Sequence, residues 1–306
     1  MQNGSTAMLL NVTERIEMGE EVDGYNANGV GVAVYDEGRN AVSINTFVTT
    51  FMIGFFSLFS TNFANRYWAV TFASPSFANV SAASLSNYSG IVTQPIGYTL
   101  LNLHPVTLVG ISAQQIGLIL LVVFSFLYVM ASTSFSRRIA GKITNVFERW
   151  MFLMIKAIIV TFFLSLFFSS TVAIYGAVSA DNFVPYWMLN WLQQSLYCMS
   201  LMLTFPLVKE RMGFLFACYL ILNVTSAFQN VLIEYDFYEW SYATPFYHAI
   251  AASRHLLFGS YDMLSINIPV LVGEWVLAAL LLLGMVALNA HVLVPRGMGL
   301  GPHPDD

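Results

Sequence analysis

Apolar residues run through this chain in long blocks. Leu108–Ser132, Met151–Val178, Tyr186–Val208, Gly213–Ile233 and Pro269–His291 are apolar all round. Each has the roughly 20 residues that a helix needs to cross ~30 Å of hydrocarbon. Strands of a membrane barrel would be about 10 residues long with alternating polarity. The pattern therefore predicts membrane helices, which satisfy their backbone groups internally.

Ahead of these blocks the pattern changes. Gly29–Tyr35 alternates like a strand, and Asp36-Glu37-Gly38 follows as a turn. Ala41–Arg66 places Ile44, Phe47, Val48, Phe51, Phe55 and Phe59 at near-helical spacing. Residues 40–65 carry no charge, so two readings stand. One is an ectodomain helix packed on a core, favoured by Asn45, Thr46, Thr49, Thr50, Ser57 and Ser60; the other is a further span. Both leave Tyr67–Val106 outside. The expected fold is mainly α, a polytopic membrane helix bundle with a small α/β N-terminal ectodomain. Its parts are an ectodomain at 1–106, a membrane domain at 107–292 and a tail at 293–306.

The connections between blocks alternate in charge. The first holds Arg137, Arg138, Lys142 and Arg149, the third Lys209 and Arg211, and the tail Arg296. The second, Ser179–Pro185, has no Lys or Arg, and the fourth, Glu234–Ile268, has Arg254. The excess of cations on cytoplasmic loops puts the first and third connections and the C-terminus in the cytoplasm. The sequons at Asn3, Asn11, Asn79 and Asn87 fit a glycosylated lumenal or extracellular N-terminal part. Asn223 also starts a sequon, but inside an apolar block, where glycosylation is not expected. No secretory signal stands at Met1. The expectation is an earlier signal-anchor helix in a longer protein, or translocation started by the helix at 41–66 or the first span.

Composition agrees. Of 306 residues, 57% are hydrophobic and 9% charged, and mean hydropathy is +0.66. Soluble domains carry about 25% charged residues, so an ordinary soluble enzyme and a disordered chain are excluded. A net charge of −5 gives no basic footprint for nucleic acid. Cys198 and Cys218 are too few for a disulfide scaffold or a Cys-rich metal site.

Three stretches carry candidate chemistry. In Phe135–Trp150, Phe135, Ile139, Ile143, Phe147 and Trp150 mark one helix face, and Arg138, Lys142, Asn145 and Arg149 another. This predicts a helix in the cytoplasmic interface with its cations on anionic headgroups. It reads as a topogenic anchor or as a lever to a cytoplasmic partner. In Glu234–Ile268, aromatic residues crowd around a short helix, Phe246–Phe258, begun by Pro245 and ended by Gly259. It reads as an aromatic belt in the outer interface, or as a lid or re-entrant hairpin over a translocation path.

The third group is polar and intramembrane. Lys156 is one turn into its span and can snorkel. Gln114-Gln115, Gln193-Gln194, Gln229-Asn230, Asn223 and Thr225 form either ordinary interhelical hydrogen bonds or an outward-opening polar cavity. In the cavity reading, Glu274 paired with Arg254 is the gate, with His248 beside it. His248 and His255 lie seven apart, about 10.5 Å along a helix, which is too far to share one metal ion. No His-Glu-x-x-His, Gly-x-Ser-x-Gly or Walker A sequence occurs. The expectation is a protein that is not an enzyme and needs no cofactor or metal.

Gly213–Val272 resembles the fungal nitrosoguanidine-resistance membrane protein family, of the DUF3533 type. That family shares a domain type with bacterial phage-infection-like membrane proteins. The motifs are Leu222-Asn223-Val224-Thr225-Ser226, Tyr242-Ala243-Thr244-Pro245-Phe246-Tyr247-His248-Ala249, Arg254-His255-Leu256-Leu257-Phe258-Gly259 and Leu264-Ser265-Ile266-Asn267. A looser likeness begins at Val34-Tyr35-Asp36-Glu37-Gly38-Arg39-Asn40. The resemblance implies a membrane domain similar to that of ABC-2 type exporters. Such a domain has six spans, an amphipathic cytoplasmic helix and an outer hairpin before the last span. Family members begin with a tail, a span and a long ectodomain, so this sequence reads as lacking the first span. They have no ATPase domain and are associated with drug or mutagen resistance at the plasma membrane. The implied partners are membrane lipids, a second copy or another membrane protein, and an unidentified small-molecule substrate, with no nucleic acid.

Overall fold

The computed structural model describes residues 12–16, 18, 31–39, 44–75, 89–140, 143, 145–208, 211–228 and 236–293. Chain contacts divide it into two compact units, Met1–Pro105 and Val106–Asp306.

The first unit is built on a parallel strand pair, β1 (Gly31–Tyr35) and β2 (Tyr98–Asn102). Val32 pairs with Thr99 and Val34 with Leu101. Parallel strands need a long crossover, and this one contains α1 (Thr50–Phe72), entered through a π-helical turn at Ile44–Thr49, and the short α2 (Ser89–Thr93). The expected turn after β1 is a 3-10 turn, Glu37–Arg39. Asn102 clamps it: Nδ2 donates to Glu37 Oε2 at 2.6 Å, and His104 Nδ1 lies 3.1 Å from Asp36 Oδ1.

Residues Ile44–Phe72 are long and apolar enough to cross a membrane, by length and composition. Their surroundings bear on the two readings of this helix. The chain leaving α1 at Phe72 comes back to its first half: Ser60 Oγ donates to the Ile96 carbonyl at 2.5 Å, and the Tyr98 ring stacks on Phe56 at 4.7 Å. With β1 before α1 and β2 after it paired in one sheet, a bilayer-crossing α1 would require residues 73–95 to cross back. The expected packing on a core is nevertheless narrow. Ser60, Ala64 and Trp68, one turn apart, are its buried residues, and Ala64 and Trp68 meet Val12 and Ile16. Phe51, Phe55 and Phe59 remain exposed.

The second unit is an all-helical bundle. Its elements are α3 (Leu108–Ala140), α4 (Val146–Ile174), α5 (Phe183–Val208), α6 (Met212–Phe228), α7 (Pro245–Phe258) and α8 (Leu264–Leu288). Segments Leu108–Ser132, Val146–Ile174 and Leu264–His291 are long and apolar enough to cross a membrane; α5 and the shorter α6 do not meet that measure alone. The reason for α5 is its position. It packs against α3, α4, α6, α7 and α8, so its surroundings are protein. Tyr197, Cys198 and Met199 at its middle have no exposed surface. Polar residues are tolerated at membrane depth where neighbours enclose them.

The α4–α5 contact follows from a stripe of small residues. Ala157, Thr161, Ser165 and Ser169 recur every four residues and are fully buried. Such a stripe brings helix backbones close. Asn190 Nδ2 donates to Ser169 Oγ at 3.0 Å, and the Trp191 indole donates to the Ile158 carbonyl at 3.1 Å. The Trp150 indole reaches the Ala279 carbonyl at 2.9 Å, tying α4 to α8.

One expected element is corrected. Residues 135–150 do not form a single amphipathic helix. The first part ends α3, which runs on to Ala140. Asn145 is extended (ψ 122°) and caps a new helix by accepting the Phe147 N–H at 2.9 Å. A cap this close to Trp150 starts α4 well before Met151, and the apolar and basic faces are split between two helices. Arg138 falls on the end of α3 and Arg149 on the first turn of α4, while Lys142 lies outside the described residues.

Candidate functional site

The segment from Asp236 onward forms a 3-10 helix, Asp236–Ala243, and then α7. Pro245 opens α7, and Gly259, at φ 71°, closes it by donating its N–H to the His255 carbonyl at 2.8 Å. Phe246, His248, Ala249, Ile250, Ala251, Ala252, Ser253 and Leu256 are buried. In the segment Glu234–Ile268, read as an aromatic belt or as a re-entrant hairpin, α7 is seated among α3, α5, α6 and α8. Its alanines and serine make room for it. Gln114 Nε2 of α3 donates to the Ile250 carbonyl at 3.2 Å, and Asn182 Nδ2 donates to the Leu256 carbonyl at 3.0 Å.

His248 is the polar centre of this insertion. Its Nδ1 lies 2.9 Å from Asn267 Oδ1 on α8, and its Nε2 lies 2.9 Å from the Tyr242 carbonyl. Both neighbours are acceptors as placed. A neutral imidazole has one N–H and satisfies one of them; an imidazolium satisfies both. Asn267 Nδ2 is buried with no hydrogen-bond partner.

Glu274 lies seven residues after Asn267, on the same stripe of α8. The next residue, Trp275, donates its indole N–H to Ser195 Oγ at 2.9 Å, which sets Glu274 level with the middle of α5. His248, Tyr197 and Tyr219 are all within electrostatic reach of Glu274. Its Oε2 is buried with no hydrogen-bond partner. Tyr197 packs its ring 5.2 Å from that of Phe246, joining α5 to α7.

Gln193 and Gln194 precede Tyr197 by one turn. Both have no exposed surface, and neither amide has a hydrogen-bond partner for its oxygen or its nitrogen. The Tyr197 hydroxyl is likewise unpartnered. Buried polar groups in folded proteins are almost always paired with protein or water. This concentration marks the middle of α5 as the candidate site. The polar residues divide: Gln114 makes an ordinary interhelical bond, and Asn223 Nδ2 donates to its own helix at the Tyr219 carbonyl at 2.8 Å. The glutamines of α5 do neither.

The expected gate is not formed as an ion pair. Among the described residues, no salt bridge is shown between Glu274 and Arg254, while His104–Asp36 and His255–Asp262 do pair. On α7, Arg254 is six residues from His248, about 120° around the helix. Arg254 lies within electrostatic reach of Tyr247, whose ring meets that of Tyr242 at 4.7 Å. Burial, and then the Tyr242 hydroxyl, push the Tyr247 phenol above the usual tyrosine range, against the pull of Arg254.

The Lys156 ammonium lies 5.6 Å over the Tyr128 ring, a cation–π contact with α3. Gln229 and Asn230 lie outside the described residues, as do the sequon asparagines Asn3, Asn11, Asn79 and Asn87. Among the described residues no His, Cys, Asp and Glu cluster could hold a metal ion.

Residues 3–280 match the family described as protein of unknown function, DUF3533. The chain belongs to that family. No curated protein and no solved structure matches it. In this DUF3533 chain, sequence pattern alone did not single out Tyr197, Asn267, Ser195 or Trp275. The available signals were Asn190, Gln193, Gln194 and Tyr197 on one face of α5, and the seven-residue step from Asn267 to Glu274.

Proposed function

We propose that this DUF3533 protein assists the export of, or resistance to, toxic apolar compounds. The observation that carries the reading is the set of unpartnered buried polar groups in the bundle interior: the amides of Gln193 and Gln194, the Tyr197 hydroxyl and Glu274 Oε2. A bundle built only for stability pairs such groups, because each one left unpaired costs about 1–3 kcal/mol. A substrate path exposes them to passing ligand and water. The inserted α7 supports the same reading as a re-entrant element covering that path.

The finer parts of the proposal rest on the sequence. The resemblance to fungal nitrosoguanidine-resistance proteins supports the resistance role and a plasma-membrane, ABC-2-like protein without its own ATPase. The partition of Lys and Arg supports a cytoplasmic C-terminus, and the sequons support a glycosylated N-terminal part. The bundle acts as a transporter and not as an enzyme, within lipid and in contact with a second copy or another membrane protein. The test is accumulation: deletion should raise intracellular dye or drug, and return of the gene should lower it. Unchanged accumulation with altered lipid exposure would instead mark a non-transporting organiser of the membrane.

A further inference from the structure

We propose that the exposed face of α1 centred on Arg66 binds the phosphate of an anionic phospholipid, with an acyl chain of the same lipid laid in the groove beside it. The inference lies in the first unit and is independent of the transport reading.

The groove has a volume of about 570 Å³, within the ~300–1,000 Å³ of sites that take a small ligand. Phe59, Phe63, Tyr67 and Val70 give it apolar walls, and Asn62 and Arg66 stand one turn apart on the same helix face. Rings extend the apolar surface toward the start of the helix. Phe59 stacks on Phe55 at 6.4 Å, and Phe55 on Phe51 at 6.1 Å. All three are exposed. Exposed apolar surface of this extent marks contact with a membrane or with another protein.

Charge decides between the two. Arg66 is the only Lys, Arg, Asp or Glu between Asn40 and Leu103. It is exposed, and the side chains of Asn62 and Arg66 make no hydrogen bond or ion pair among the described residues. A two-fold interface pairs a patch with itself. A second copy on this face would therefore set two Arg66 cations together with no carboxylate to meet them. A lipid surface suits the pattern. Aromatic rings settle at headgroup depth, an arginine reaches out of an apolar surface to a polar layer, and its planar fork holds two phosphate oxygens at once. The Asn62 amide adds a donor. The headgroup is anionic, because a choline or ethanolamine cation would find no carboxylate on this face. The placement of α1 agrees. Ile44–Phe72 has the length and apolarity of a span, while the β1–β2 pairing holds both of its flanks in one sheet. An apolar helix held in this way meets lipid by lying along it.

The test uses the full chain in nanodiscs that carry a photoreactive phosphatidylglycerol, its diazirine in the acyl chain. The matching photoreactive diacylglycerol is the phosphate-free control. Adducts on residues 59–71 are read by mass spectrometry as a ratio to those around the exposed Phe163 and Phe167 of α4. The ratio should fall about fivefold on Arg66→Gln, the factor that one cation contributes at a lipid surface, and about as far with the diacylglycerol. Arg66→Lys should keep most of it. Val70→Glu, which sets a carboxylate in the groove, should lower it with Arg66 intact. Both positions are exposed, so the elution profile of each variant should match wild type. An equal ratio in wild type and Arg66→Gln, an equal ratio with the diacylglycerol, or no adduct on residues 59–71 would overturn the proposal. Crosslinks between copies at this face without a lipid adduct would assign it to a second copy and overturn the proposal as well.

Discussion

His248 of α7 and Asn267 of α8 meet at 2.9 Å, and both are buried. This contact holds the inserted helix against the last long helix. His248→Ala would leave Asn267 and the Tyr242 carbonyl without their partner. It should cost about 2 kcal/mol or more, measured as a lower midpoint of thermal unfolding in detergent. Asn267→Asp keeps an acceptor at the imidazole and should cost less.

Trp275 and Ser195 join α8 to α5 by one hydrogen bond. Ser195→Ala should destabilise by about 1 kcal/mol, because it strands the indole N–H. Trp275→Phe should cost more through lost packing. The double variant should be less damaged than the sum of the two, since the stranded donor is gone. Strict additivity in unfolding midpoints would mean that the bond is not formed.

The parallel register of β1 and β2 can be locked. Val32→Cys with Thr99→Cys places thiols on register partners that are both exposed. An oxidised crosslink should form and shift mobility on a non-reducing gel. Val32→Cys with Leu101→Cys is two residues out of register and should crosslink far less. No crosslink in either pair would mean that α1 separates the strands across the bilayer.

Gly117 on α3 gives way to the Phe168 ring of α4. A Cβ at Gly117 would stand 2.4 Å from that ring. Gly117→Leu should destabilise by about 1–3 kcal/mol through overpacking. Gly117→Leu with Phe168→Ala should recover part of the loss, read in the same unfolding midpoint.

Charge exchange between Glu274 and Arg254 offers a negative control. Glu274→Arg should abolish the dye phenotype of the wild-type gene, and adding Arg254→Glu should not restore it, because no ion pair joins them. Restoration in an accumulation assay would show that the two residues meet during transport.

The long apolar helices were legible because lipid imposes a length and a polarity on any segment that crosses it, and α3, α4 and α8 obey both. The α7 helix was legible from Pro245 and Gly259, which act locally on backbone conformation. The limits of the linking helix were not: the pattern from Phe135 to Trp150 stays helical in period across Asn145, and only the cap shows that one helix stops and another starts.

By itself, the chain's order of residues determined a mainly helical membrane protein with long apolar helices. Those properties depend on local backbone chemistry and on transfer of side chains from water. Tertiary structure alone decided that α5, among the more polar helices, lies at the centre. It also decided that His248 meets Asn267 of α8, and that the amides of Gln193 and Gln194 stay unpaired while that of Gln114 is bonded. The reason is geometric. Whether a polar group inside a bundle is paired depends on which neighbouring helix turns which face toward it, and that is a relation between distant segments that no local pattern encodes.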